Sequence, residues 1–334
     1  MDVGVALPHY DHSVPGERPL RWETVLRWAA AAEEAGVASV WLSDHLFVSL
    51  ARWGVAPGDG DEVEGYEALT TLAALAATTG RVRLGTLVMC PHLRPPGVLA
   101  KALATVDVMS GGRLTVGLGA GWFEPEYAAA GLPFPPPGAR VGLLAETLEV
   151  LRLAFAGEAF SYDGRHLHLD GMVCRPRPVQ QPSPPLWVGG RGDGLLGVAA
   201  RGADGWNAGG WTGTVEGYRE RAGVLDRACE EAGRDPASVA RSVNRLCLVG
   251  EDEPDLRRRW EALGEASPPG SLRGMSLDDY RHGRLVGTVE QVADQLRRWS
   301  EVGVSTVIVS LGALPFTVTG VDDLALVASA SGPR

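Results

Sequence analysis

A chain of 334 residues, 45% of them hydrophobic, has apolar side chains enough for one large α/β barrel or two ordinary domains. A formal net charge of −10 excludes a general nucleic-acid binder, because phosphates call for a basic face and no basic cluster here reverses the balance. There is no charged-then-apolar leader and no long uncharged run, so the expectation is a soluble cytoplasmic protein with no membrane partner.

The first strand is expected at residues 3–7, an alternating apolar segment. One phrase then recurs: a helical stretch, a glycine, a short β-branched run. Trp22, Val25, Leu26 and Ala29 share a helical face, Gly36 ends it, and 39–42 reads as a strand. Leu69, Leu72, Ala73 and Ala76 repeat the pattern before Gly80 and a strand at 82–88. A helix from Pro96 to Met109 leads to a strand at 114–118, and further strands fall at 186–188, 205–207 and 242–249. The last unit opens with a capping box, Thr288 to Gln291, closes at Gly303 and ends in the apolar run 304–311. Eight such units predict a (β/α)8 TIM barrel, an α/β fold, as one domain over 1–334. The excess length falls into insertions near 45–65, 160–185 and 251–287, the last polar and helical in part. A doubly wound sheet would need a dinucleotide fingerprint after strand one, and Pro8, His9, Tyr10, Asp11 and His12 do not supply it.

In a parallel barrel, ligands bind where strands end. Asp44 and His45 follow the second strand; such a pair can set a tautomer or shuttle a proton, or can simply cap a strand. The fourth strand runs into Gly117, Gly119, Gly121 and Trp122, glycines that let backbone approach a ligand beside a flat apolar ring. Glu124 and Glu126 beyond it are an acid/base pair, helix caps or partners of Arg140. Gly189, Gly190 and Arg191 open a helix after the fifth strand and make a phosphate cradle. His166 and His168 alternate on a hairpin with no third metal ligand in view. The four cysteines have no metal spacing and read as buried thiols.

Several phrases in fixed order, AAEEAGVASVWLSDH, EALTTLAALAATTGRVRLGTLV, LAKALATVDVMSGGRLTVGLGAGWFEPEY, PPLWVGGRGDGLLGVAARGADGWN and LVGTVEQVADQL, resemble the bacterial-luciferase-like superfamily and its flavin- and deazaflavin-dependent oxidoreductases. The resemblance implies a TIM barrel with the cofactor ring at its C-terminal mouth. It implies that Asp44 and His45 flank the ring, that a cis peptide joins Leu87 and Val88 against it, and that Gly189, Gly190 and Arg191 take the phosphate. Gly121, Glu126 and Arg140 are counted with the cofactor-binding residues on the same ground. Trp122 stands where sugar-phosphate dehydrogenases of the family carry an acid, which argues against that substrate. The first expectation is an oxidoreductase exchanging a hydride between coenzyme F420 and a small organic substrate, with Trp122 walling the pocket and His45 exchanging a proton. The alternative is a monooxygenase using O2 and reduced FMN supplied by a partner flavin reductase, since the GW…EY phrase also resembles FMN-dependent oxygenases. A barrel that carries or senses a flavin without turnover is the third class. Homodimers are common in the family, though no stretch here marks an interface.

Overall fold

The computed structural model describes residues 1–53, 55 and 62–332. Eight strands form its centre: β1 (Asp2–Ala6), β2 (Ser39–Leu42), β3 (Arg83–Thr86), β4 (Leu114–Leu118), β5 (Leu186–Gly189), β6 (Gly205–Asn207), β7 (Ala240–Gly250) and β8 (Thr306–Ser310). Consecutive strands pair in parallel, with β5 beside β4 and β6 beside β7, and β8 returns to β1. The ring is closed, and it is the predicted TIM barrel. Every residue of β8 is buried, as a strand with barrel interior on one side and helices on the other requires. The expected third strand ends early. The Leu87 amide donates to the Leu42 carbonyl at 2.7 Å, the Leu87–Val88 bond is cis, and the Met89 amide crosses to the Gly117 carbonyl at 2.8 Å.

Two indoles meet in the barrel interior. Trp41 of β2 and Trp187 of β5 lie 5.5 Å apart, tilted by 33°. Neighbouring strands make room with glycine: a Cβ on Gly85 would fall 2.2 Å from the Trp41 ring, and one on Gly205 would fall 2.5 Å from Trp187. The periodicity marks these two residues as buried and does not reveal that they meet.

At the N-terminal floor, polar groups are tied into loops. Glu33 accepts the amides of Gly80, Arg81 and Val82 at 2.9, 2.6 and 2.9 Å. Arg113 donates to the carbonyls of Ala76, Thr79, Val82 and Ser110. Gln180 bonds Asp107 and the Leu114 carbonyl, both at 2.7 Å. Outside stand the helices Trp22–Glu34, Ala68–Thr78, Pro96–Met109, Pro137–Phe155, Asp193–Gly202, Val215–Glu231, Val289–Glu301 and Asp323–Ser331. The capping box at Thr288 is formed in both directions with Gln291.

The insertions have structure of their own. Part of the first, residues 54 and 56–61, lies outside the described residues, and the rest includes a hairpin of Phe47–Ser49 with Glu62–Glu64. The second carries a hairpin of Phe160–Asp163 with His168–Met172, where His168 Nδ1 meets Asp163 at 2.7 Å. The third holds the helices Glu253–Ala266 and Leu277–Arg281, then returns as a strand, Leu285–Thr288, parallel to the far half of β7. Its Leu256, Leu263 and Tyr280 pack with Leu248 and Val286 as a small core. Among the described residues no helix is long and apolar enough to cross a membrane.

Candidate active site

A cavity of about 460 Å³ opens at the C-terminal ends of the strands. Loops after β1, β2, β3, β4, β6 and β8 line it, joined by residues of the third insertion. This is where a parallel barrel assembles groups from distant parts of its chain.

His45, after β2, meets Glu126, after β4. Its Nδ1 lies 3.0 and 3.1 Å from the two carboxylate oxygens, and the Leu46 amide donates to the same carboxylate at 3.2 Å. Glu126 is wholly buried at the start of the short helix Glu124–Ala129. A carboxylate accepts, so the network assigns the ring proton to Nδ1 and leaves Nε2 to exchange one. Trp122 stands edge-on to His45 at 5.3 Å and is 43% exposed on the cavity rim. Of the two sequence candidates, Glu126 is therefore the partner of the histidine, while Glu124 is exposed.

Asp44 is already engaged. Arg94 grips it with two bonds of 2.7 Å, and the Cys90 amide donates to it at 3.0 Å. It anchors the β3 loop beneath the cavity. Cys90 bonds the Tyr127 hydroxyl at 3.0 Å, and burial pushes its thiol up to about 11, so it stays protonated.

A second polar chain went unnoticed in the sequence. His9 Nδ1 donates to the Leu7 carbonyl at 2.9 Å, which leaves Nε2 to accept from the Ser43 hydroxyl at 3.1 Å. The Tyr10 hydroxyl lies 2.5 Å from that same Ser43 oxygen. Tyr10 and Ser43 line the cavity. Burial holds His9 down at about 4, hence neutral near pH 7. Their position directly after β1 and β2 was the available signal.

Several of the glycines also make room for neighbouring parts of the chain. A Cβ on Gly119 or Gly189 would fall 2.6 Å from Val88, and one on Gly117 would fall 2.2 Å from the Thr86 carbonyl. They make room for the jog after β3. Gly119 and Gly121 both line the cavity, and Gly121, at φ 71°, leaves space for the Tyr127 hydroxyl through its missing side chain. Leu87 and Val88 both line the cavity.

Gly189 and Gly190 lie outside the cavity lining, and Arg191 lines a small neighbouring pocket with Thr212, Thr214, Arg221 and Arg245. No ion pair among the described residues involves Arg191 or Arg245. Arg245 sits over the Trp299 ring at 4.2 Å, and its Nε is buried without an acceptor. Burial, with Arg191 nearby, draws its guanidinium down to about 10. Two cations without a counter-ion and an orphaned N–H fit a phosphate group. Sequence reasoning missed Arg245, although a charged residue inside the apolar run 242–249 was visible. Arg140 does not line the cavity: it donates to the Pro135 carbonyl at 2.5 Å and stacks on Phe134 at 4.1 Å, while its Nε, like that of Arg245, is buried without an acceptor.

An F420-dependent glucose-6-phosphate dehydrogenase of Kineococcus radiotolerans is 30% identical over 276 residues, 81% of this chain and 77% of that protein. The monooxygenase RslO1 of Streptomyces bottropensis superposes with a TM-score of 0.76 at 25% identity, covering 99% of this chain and 98% of that one. The coenzyme F420-dependent tetrahydromethanopterin reductase of Methanopyrus kandleri has the same fold, with a TM-score of 0.74 at 20% identity over 98% of this chain and 97% of that one. Residues 1–306 match the luciferase-like monooxygenase family as a whole, and the chain belongs to that family.

Proposed function

We propose that this protein is an oxidoreductase that exchanges a hydride between coenzyme F420 and a small organic substrate. The observation that carries the reading is the His45–Glu126 pair on a cavity of cofactor-and-substrate size. Deazaflavin carries hydride at C5 and lacks the nitrogen that supports oxygen activation, so it supplies two-electron chemistry without oxygen insertion. Leu87, Val88 and Gly121 wall the ring site, with Asp44 fixing the β3 loop below it. Arg191 and Arg245 would hold the phosphate, with Gly189 and Gly190, the latter at φ 134°, shaping the turn before Arg191. His45 Nε2 gives or takes the proton that a substrate oxygen or nitrogen needs when its carbon is reduced or oxidised. Glu126 keeps Nδ1 protonated and the ring in place. Trp122 excludes water from one side. The identity to an F420-dependent dehydrogenase over four-fifths of the chain supports the cofactor.

The second reading, a reduced-FMN monooxygenase served by a flavin reductase, is favoured by the full-length likeness to a monooxygenase and by Trp122. Titration of the apoprotein with oxidised F420 and with FMN, followed by cofactor fluorescence, separates the two. Micromolar F420 binding with weak FMN binding is expected. Preference for FMN would sink the first reading, and binding of neither would sink both.

A further inference from the structure

We propose that the substrate is an organic acid with an apolar or aromatic body, and that Arg284 binds its anionic group. The proposal rests on the reading of the cavity as a substrate site, but not on the identity of the cofactor.

The charges on the cavity wall are unequal in their partners. Asp44 is gripped by Arg94, and Glu126 is bonded to His45 and the Leu46 amide. Arg284 also lines the cavity, and no ion pair among the described residues includes it. Three acids of its own insertion are committed elsewhere: Glu253 and Asp278 pair with Arg281, and Asp255 pairs with Arg258 and Arg259.

Arg284 is nonetheless fixed in place. Its Nη1 donates to the carbonyls of Tyr280 and His282, both at 3.2 Å, and its guanidinium stacks on the Tyr280 ring at 4.5 Å. Its Nε is buried with no acceptor. A preorganised guanidinium without a counter-ion is the group that recognises carboxylates. Holding it in a fixed pose removes much of the ordering cost of binding.

The walls around it describe the rest of the ligand. Trp53, Trp211, Leu272, Leu314 and Phe316 line the same cavity, and Trp211 meets Phe316 edge-on at 5.2 Å. These are surfaces for rings and alkyl groups. His12 lines the cavity too, with both ring nitrogens buried and unpartnered, and supplies no competing negative charge. Arg284 is also separate from the phosphate pocket at Arg191 and Arg245, so two anions, one on the cofactor and one on the substrate, have two different cationic seats.

The test uses the full chain with and without F420, and 2-naphthoate and 2-naphthamide as probes, with affinity read by calorimetry. The naphthoate is expected to bind about tenfold or more tightly than the amide, the margin of a charge-assisted pair. Arg284→Met should bring the two to equal affinity, Arg284→Lys should keep part of the difference, and F420 affinity should stay within about twofold in both. Melting temperature shows that each variant is folded. Equal binding of acid and amide by the unaltered protein overturns the proposal, as does unchanged naphthoate affinity in Arg284→Met. Loss of F420 affinity in Arg284→Met also overturns it, by giving Arg284 to the cofactor. Failure of naphthoate, benzoate and octanoate alike to bind has the same result. If naphthoate binds through Arg284 while F420 does not bind at all, this inference stands and the cofactor reading falls.

Discussion

The two ends of the barrel treat their polar atoms in opposite ways. At the floor, Glu33 takes three backbone amides and Arg113 four carbonyls, each closing a loop onto its neighbour. At the mouth, His12, Arg245 and Arg284 keep buried nitrogens with no partner. An unmet buried polar atom costs about 1–3 kcal/mol, so a chain that satisfies one end and not the other has put stability at the floor and binding capacity at the mouth. Substitutions at the two ends should therefore separate into those that change melting and those that change chemistry.

The largest effect is expected from His45. His45→Ala should lower turnover by about 10²–10⁴-fold, the usual worth of a positioned acid or base, with F420 affinity within about threefold. Glu126→Gln should act through the same ring and shift the pH profile of turnover. Steady-state kinetics on a substrate found by screening checks both, and unchanged turnover in His45→Ala would remove the proton-exchange role.

Acid should weaken the mouth next. Burial depresses His9 from 6.5 to about 4 and His12 from 6.5 to about 3, so the unfolded chain binds protons that the folded one refuses. Their contribution is complete above pH 6.5 and is lost as pH falls through that window. The melting temperature should drop between pH 6.5 and 4, and His9→Gln should flatten the slope.

The floor should respond more mildly. Glu33 resists a burial that would raise its pKa, because the amides of Val82, Arg81 and Gly80 hold it below its ordinary value. Glu33→Ala should cost about 1–2 kcal/mol in urea unfolding while leaving cofactor affinity untouched. The smallest effect belongs to Arg140→Ala. Arg140 lines neither the cavity nor the pocket of Arg191 and Arg245, so F420 titration should move less than about twofold.

The contrast also explains what the sequence made legible. Strands covered on both faces are apolar throughout, and glycines end the helices, so the eightfold alternation is local information. His45 was readable because it follows a strand directly. Its bond to Glu126 was not, because the two are 81 residues apart and only closure of the barrel brings them together. Arg245 and Arg284 are ordinary arginines in one dimension. What distinguishes them is that no ion pair among the described residues includes either, a property of surroundings that spacing does not encode. The glycines after β4 were visible, but not their neighbours: Val88, from the loop after β3, beside Gly119, and Tyr127 beside Gly121.

The strand Leu285–Thr288 has a wider consequence. It is in register with β7, Cys247 opposite Leu285 through Gly250 opposite Thr288, and Arg284 is the residue just before it. The third insertion is thus a cassette spliced onto the barrel wall at both ends, with selectivity written at the splice. Exchanging residues 251–287 between relatives would transplant a ready-made recognition surface, leaving His45 and Glu126, which lie outside the cassette, with their own chemistry.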